Sequence, residues 1–522
     1  MHGHDPRTAT AAPGQARRAD DVLDMQRAAR MGGSALLLRW LAGRTGAAVL
    51  LANRSGAPAA PPPQPLGRAE HDLVLHGIRE ASARGLRSVT LDEQDLTCVV
   101  LPLDGPPGVR APFLAAVVAR PIPPGLLLLL ADAASGLSLC WQLERTRQQQ
   151  RRLRDADARI REAVVHLLMN GQVATARLVA GALRPALPDV MRIYVIEGPH
   201  TIRRAVADTW AKAVDGAWVV PCPVYANHLV VLAPADCGTH AAMAVEPVWP
   251  RSVAETCCIG VSDPVPLRDT ATGYAQAFHA LAAARHSAER RASFAGHPDL
   301  ALTIGPAAEA WAAVFLAPLR AYHARRPQDP DSAELLATAA SWLSFSSKAT
   351  THLKIHRNTL AARLTLVQRL MGLDLERLPD QAALALALRV IGAGIRSGPE
   401  HRTSDAGGRA PSLDGLLALP HVVMWAQRQF RPVRAPGVPA SIAQTLTTWL
   451  RLDGRIVPTA AALSVSASAV RKRLERSEAL LQRSLLRSPS AVHDQWLAQR
   501  ALDLAERSAA PPAASSATTA GT

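Results

Sequence analysis

Four consecutive side chains, His356, Arg357, Asn358 and Thr359, have the types that hydrogen-bond to base edges. An arginine fork matches guanine O6 and N7, and an asparagine amide matches adenine N6 and N7. Their surroundings carry one sign of charge. Between 346 and 371 stand Lys348, Lys354, Arg357, Arg363 and Arg369, with no acid. Neutralising phosphates requires such a local excess, so Lys354 and Arg363 join the four as candidate DNA contacts. A second set lies at Ser466, Ser468, Arg471, Lys472 and Arg473. Serines discriminate bases loosely, whereas three consecutive cations suit phosphates. The ordinary alternatives are a capped amphipathic helix for the first set and a packing or dimerisation module for the second.

Side chains of this kind reach a groove only when a helix presents them. The stretch SKATTHL ends at Leu353, and Lys354, Ile355 and His356 make a short break. Leu360, Leu364, Val367 and Met371 then recur at helical spacing, and Gly372 suits a helix end. Two helices joined by a tight turn form a helix-turn-helix. The pattern occurs twice. FLAPL (315–319), ASWL (340–343), LKIHRNTLAARL (353–364) and DLERLPDQAALALALRV (374–390) are echoed by QFRPV, TTWL, LSVSASAVRKRL and SLLRSPSAVHDQWLAQRAL between 429 and 502. The Gly- and Ser-rich stretch between the copies reads as a linker.

Upstream, residues 33–140 combine an apolar helix pattern at 34–46 with strand candidates at 47–52, 88–91, 97–103 and 113–119. A polar helix follows from about 134 to 168. In it Leu143, Leu153, Ile160, Val164 and Leu167 give a partial apolar seam suited to pairing with a second copy. Strand candidates return at 190–198, 216–226 and 228–235, and CCIGVSDPVPLRD (257–269) leads into an Ala-rich helix.

Several functions lack their signatures. No phosphate loop, nucleophile elbow or HExxH zinc motif occurs. The six cysteines form no CxxC pair, Cys257–Cys258 reads as strand core, and Cys237 stands alone. His2 and His4 lie in a polar tail. No metal site, catalytic residue or cofactor is therefore expected. The apolar stretch 111–131 contains Arg120 and the prolines 121, 123 and 124, which break a spanning helix. It reads as two buried pieces around a turn. With no signal-peptide core and free thiols, a cytoplasmic, non-membrane protein is expected. The net charge of +15 favours polyanion partners.

The segment 298–395 resembles the C-terminal helix-turn-helix domain of the PucR/CdaR family of bacterial transcriptional regulators, through its FLAPL entry, ASWL, LKIHRNTLAARL, MGLDL and LALALRV. Ala361 and Ala362 stand where that family usually has a basic and an aromatic residue. The Trp342–Leu353 interval is three residues shorter than Trp449–Leu463. Residues 412–508 resemble the same domain more distantly. The resemblance implies a GAF-type sensor at 33–140 and a degenerate GGDEF-like domain at 187–290. The region VVPCPVYANHLVVLAP has no acid where a working cyclase would need its glycine–acidic hairpin.

The expectation is a multidomain α+β chain: two small α/β sensor-type domains followed by two all-α helix-turn-helix domains. The order is a polar tail (1–32), a sensor (33–140), a connecting helix (141–186), the GGDEF-like domain (187–290), the first head (298–395), a linker (396–411), the second head (412–508) and a disordered tail (509–522). The expected partners are double-stranded DNA, a second copy of the chain and a small-molecule effector at the sensor. The rivals are a nucleotide-cyclase-like enzyme and an assembly partner that binds no DNA.

Overall fold

The computed structural model of the chain describes residues 13–235, 255–296, 298–394 and 411–509. His2, His4, Cys237, positions 396–410 of the expected linker and the tail from 510 lie outside the described residues. The architecture is mixed α+β, with the sheets in the N-terminal half and a helical C-terminal region. The chain divides into two compact units, 1–156 and 157–522.

The first unit is built on an antiparallel sheet of β1 (Ala48–Ala52), β2 (Val89–Glu93), β3 (Leu96–Pro102) and β4 (Phe113–Ala119), in the order β1-β4-β3-β2. Alternation along each strand splits the apolar side chains between two faces. Val49, Leu51, Leu114 and Ala116 pack under Leu37, Leu38 and Leu41 of helix Pro13–Thr45, and under Leu130 and Leu137 of helix Leu126–Met169. Leu50, Cys98, Ala115 and Val117 pack against Leu73, Val74 and Ile78 of helix Arg68–Arg84. Gly77 permits that approach, because a Cβ there would meet Val100 Cγ2 at 2.6 Å. Burial on both faces explains why β1, β3 and β4 read as largely apolar runs, whereas the edge strand β2 is mostly exposed.

Two helices differ from the sequence reading. The stretch 1–32, read as a polar tail running into a short helix, is helical already from Pro13, breaking only at Gly32 and Gly33. Its Ala and Arg residues favour a helix, and buried Met25 and Ala28 anchor it. Helix Arg68–Arg84 was not foreseen. The 111–131 stretch is two pieces around a turn, β4 and the start of helix Leu126–Met169; β4 is buried as expected, but Leu127 and Leu128 of the helix are exposed. That helix is long and apolar enough to cross a membrane by length and composition alone, and 33% of its apolar window is buried.

In the second unit, β5 (Val190–Glu197), β6 (Trp218–Pro221), β7 (His228–Pro234), β8 (Cys258–Val261), β9 (Val265–Pro266) and β10 (Arg291–Ser293) form one sheet. Its order is β10-β8-β5-β7-β6, with β9 also on β5. One face packs on Tyr274, Phe278 and Leu281 of helix Thr270–Ala284 and on Val164, Val165 and Leu168. At Gly260 the helix backbone occupies the place of a Cβ. The other face holds Val206 and Trp210 of helix His200–Ala213. Val164 and Leu167 thus pack on the chain's own sheet rather than joining an outward seam. Leu143 and Leu153 stay exposed, together with Leu139.

From Leu300 to Leu502 one continuous apolar core runs through both helical repeats. Helix Leu378–Gly394 lies along helix Val492–Ala509, and helix Pro420–Phe430 packs on Leu300–Ile304. The repeats therefore share one core and form one body.

Candidate nucleic-acid interface

Helix Ser332–Phe345 is the first head's support. Asp331 caps it by accepting from Glu334 N at 2.7 Å, and Glu334 returns the bond to Asp331 N. A 3-10 turn and helix Ala349–Leu353 follow. Lys354 then adopts φ 55° and ψ 39°, the left-handed conformation that turns the chain sharply. Ile355 is half-buried under the turn. His356 begins helix Arg357–Met371, its Nδ1 accepting from Asn358 N at 3.2 Å, and Gly372 ends it at φ 66°. Leu360 and Val367 anchor the inner face.

The second head repeats this path 110 residues later. Ser464 has φ 54°, Val465 is half-buried, and Ser466 caps helix Ala467–Leu481 by accepting from Ala469 N at 3.1 Å. Val470 and Leu474 fill the inner face. The approach is longer here, through helix Ala440–Arg451, a turn and helix Ile456–Ala462. The sequence interval that differs between the copies is therefore absorbed before the sharp turn, and the turn itself is retained.

The sequence-derived candidates separate into two kinds. Lys354, His356, Arg357, Asn358 and Thr359 are exposed together on the first turn and its approach. Ser468, Arg471 and Lys472 are exposed on the equivalent surface of the second head. Arg363 points the other way. Its guanidinium donates to Glu334 Oε1 at 3.0 Å and lies 3.4 Å from Thr338 Oγ1. Arg473 makes the matching contact with Thr445 Oγ1 at 3.3 Å. Both arginines brace their presenting helix against its support. Ser466 is occupied as a cap, as is the His356 ring. Sequence reading missed Thr338 and Thr445, although each stands four residues before the repeat's tryptophan, Trp342 or Trp449.

Behind the first turn sits a buried histidine. His352 Nδ1 lies 2.9 Å from Ser341 Oγ, and its ring lies 4.5 Å from that of Phe345. Burial, reinforced by the nearby His166, pulls its pKa down to about 4. The two heads are pinned by charge as well as by core. Arg389 of the first closing helix meets Asp494 of the second at 2.5 Å, and Arg483 reaches the same carboxylate at 3.3 Å. Burial alone would raise the Asp494 carboxyl, but the two guanidiniums hold it far below the usual range.

The α/β part of this unit touches both heads. Phe345 belongs to its core, and the His166 ring contacts the His352 carbonyl. On the other side Arg487 donates to Glu197 Oε1 at 3.1 Å, and the Tyr225 hydroxyl donates to the Ser488 carbonyl. Among the described residues no group of three or more His, Cys, Asp or Glu is placed to hold a metal ion.

Two segments, 335–390 and 442–501, match the family model of the PucR C-terminal helix-turn-helix domain. They coincide with the two heads, so each head is similar to this domain. A comparison with curated proteins found no match. Among solved structures, the crystal structure of a regulator of polyketide synthase expression from Bifidobacterium adolescentis aligns at 16% identity. It covers 46% of this chain and 94% of that one, with a TM-score of 0.19. A superposition that loose carries no structural argument.

Proposed function

We propose that the chain is a DNA-binding transcriptional regulator without enzymatic activity, acting in the cytoplasm. One observation carries this: two PucR-type heads share one body and each exposes a basic, polar first turn. Arg357 and Asn358 read base edges, Lys354 and Thr359 hold the backbone, and His356 fixes the start of the helix. Arg471 and Lys472 of the second head grip phosphate, and Ser468 adds loose base contact. Arg363, Arg473 and Ser466 position rather than read. Because the heads are joined within one chain, a single molecule engages two stretches of duplex.

The upstream parts act as regulators. The small sheet domain at 33–140 serves as a sensor for a small molecule, and the 187–290 domain transmits. Its β6–β7 hairpin has no carboxylate, which supports a non-catalytic role for a GGDEF-like domain. Exposed Leu139, Leu143 and Leu153 recur at coiled-coil spacing and support pairing with a second copy. The buried Leu130 and Leu137 of the same helix support packing on a sheet rather than insertion in lipid.

A mobility-shift titration of the full chain on DNA upstream of its own gene tests the reading. A retarded complex that weakens with added salt is expected. Absence of any salt-sensitive complex on such fragments would sink it.

A further inference from the structure

Within the second unit, a cavity of about 240 Å³ opens between the α/β part and the first head. Its floor is Met169, Tyr274, Ser341, Phe345, His352 and Pro489, drawn from four separated stretches of chain. No charged side chain lines it. The Tyr274 and Phe345 rings lie 6.1 Å apart, and Phe345 lies against His352. His352 is 3% exposed, and its Nε2 has no hydrogen-bond partner among the described residues.

That unpartnered atom calls for an occupant. A buried polar group left unpaired is costly, and a hydrogen-bonding occupant of the cavity it lines would relieve that cost. Ser341 holds the other ring nitrogen. When its hydroxyl donates to Nδ1, Nε2 carries the proton and donates; in the other tautomer Nε2 accepts. A hydroxyl group, which both donates and accepts, satisfies either state. The depressed pKa of His352 keeps the ring neutral near pH 7, and a charged ligand would find no counter-charge. A cavity of about 150 Å³ lined by apolar side chains accepts benzene, so this one has room for a substituted ring.

We infer that this cavity binds a small uncharged aromatic molecule carrying one hydroxyl-type group, placed against Phe345 and hydrogen-bonded to His352. The site is separate from the sensor at 33–140. Binding here does not depend on the DNA-binding reading, although the occupant would sit two residues from Lys354, where the first head turns.

The test uses the full chain with phenol as probe and toluene and benzoate as comparisons, read by saturation-transfer NMR. Ala340→Trp and Ala271→Trp each put a large ring at an exposed lining position on a different helix, and their melting curves are checked against the parent. Phenol should bind the parent more tightly than toluene or benzoate, and roughly tenfold more weakly or not at all in each tryptophan variant. His352→Phe should erase the preference for phenol over toluene. The inference is overturned if phenol gives no transfer signal with the parent, or if both tryptophan variants bind it as the parent does. None of these readouts involves DNA, so failure here is distinct from failure of the proposed function.

Discussion

Acid should loosen the helical body, because two buried histidines are held neutral in it. His352 and His493 both have their pKa lowered by burial from the usual 6.5 to about 4. Each binds a proton more readily in the unfolded chain. Its contribution is therefore fully present above pH 6.5 and is lost as pH falls towards 4. At about pH 5 each contributes a loss of about 2 kcal/mol relative to about pH 7.5, or about 4 kcal/mol for the pair. His228, lowered chiefly by burial, adds a loss of the same sign. Urea unfolding of the full chain, followed by tryptophan fluorescence at the two pH values, measures this directly. His352→Gln should remove about half of the loss due to the pair, and the double variant with His493→Gln most of it. If His352→Gln loses as much stability on acidification as the parent, the histidine is not held neutral and the reasoning fails.

Arg357→Ala should weaken binding to the preferred DNA site by about 1–3 kcal/mol in a fluorescence titration, with unfolding unchanged. Arg363→Ala should do the reverse, lowering stability by about 1 kcal/mol through loss of the Glu334 and Thr338 contacts. A stable Arg363→Ala protein with altered base preference would make that residue a reader instead. Leu143→Glu combined with Leu153→Glu should convert a dimer to a monomer in sedimentation velocity, since both side chains are exposed on one helix; an unchanged sedimentation coefficient would remove the helix as the pairing surface.

The strands were the most legible part of the chain. FLAAVVA is β4 from end to end because a sheet covered on both faces leaves an unbroken apolar run. Helix Arg68–Arg84 was harder to see because Leu73, Val74, Gly77, Ile78 and Ala81 bury one narrow face beside a proline-rich loop. The helix-turn-helix was legible from HRNT and the spacing of Leu360, Leu364 and Val367. The partition of its basic residues was not. Residue type alone cannot distinguish Arg357, which faces solvent, from Arg363, which turns back to Glu334 and Thr338. The cavity beneath His352 and the common core of the two repeats depend on contacts between distant segments. Local periodicity carries no trace of these. The family comparison and the repeated turn geometry converge on the same two segments, although Ser464 and Lys354 share only a backbone conformation.

The salt dependence of DNA binding tests the central claim most directly. Fluorescence anisotropy of the full chain on a labelled upstream duplex gives the slope of log K against log salt concentration. Lys348, Lys354, Arg471, Lys472 and Arg476 are exposed on or just before the two presenting helices, and Arg357 is left to the base edge it reads. If all of them meet phosphate, the slope is roughly −4 to −5, and it shallows by about 1 for each cation replaced by alanine. A slope near zero, or one unchanged when Lys354, Arg471 and Lys472 are replaced together, would contradict the account.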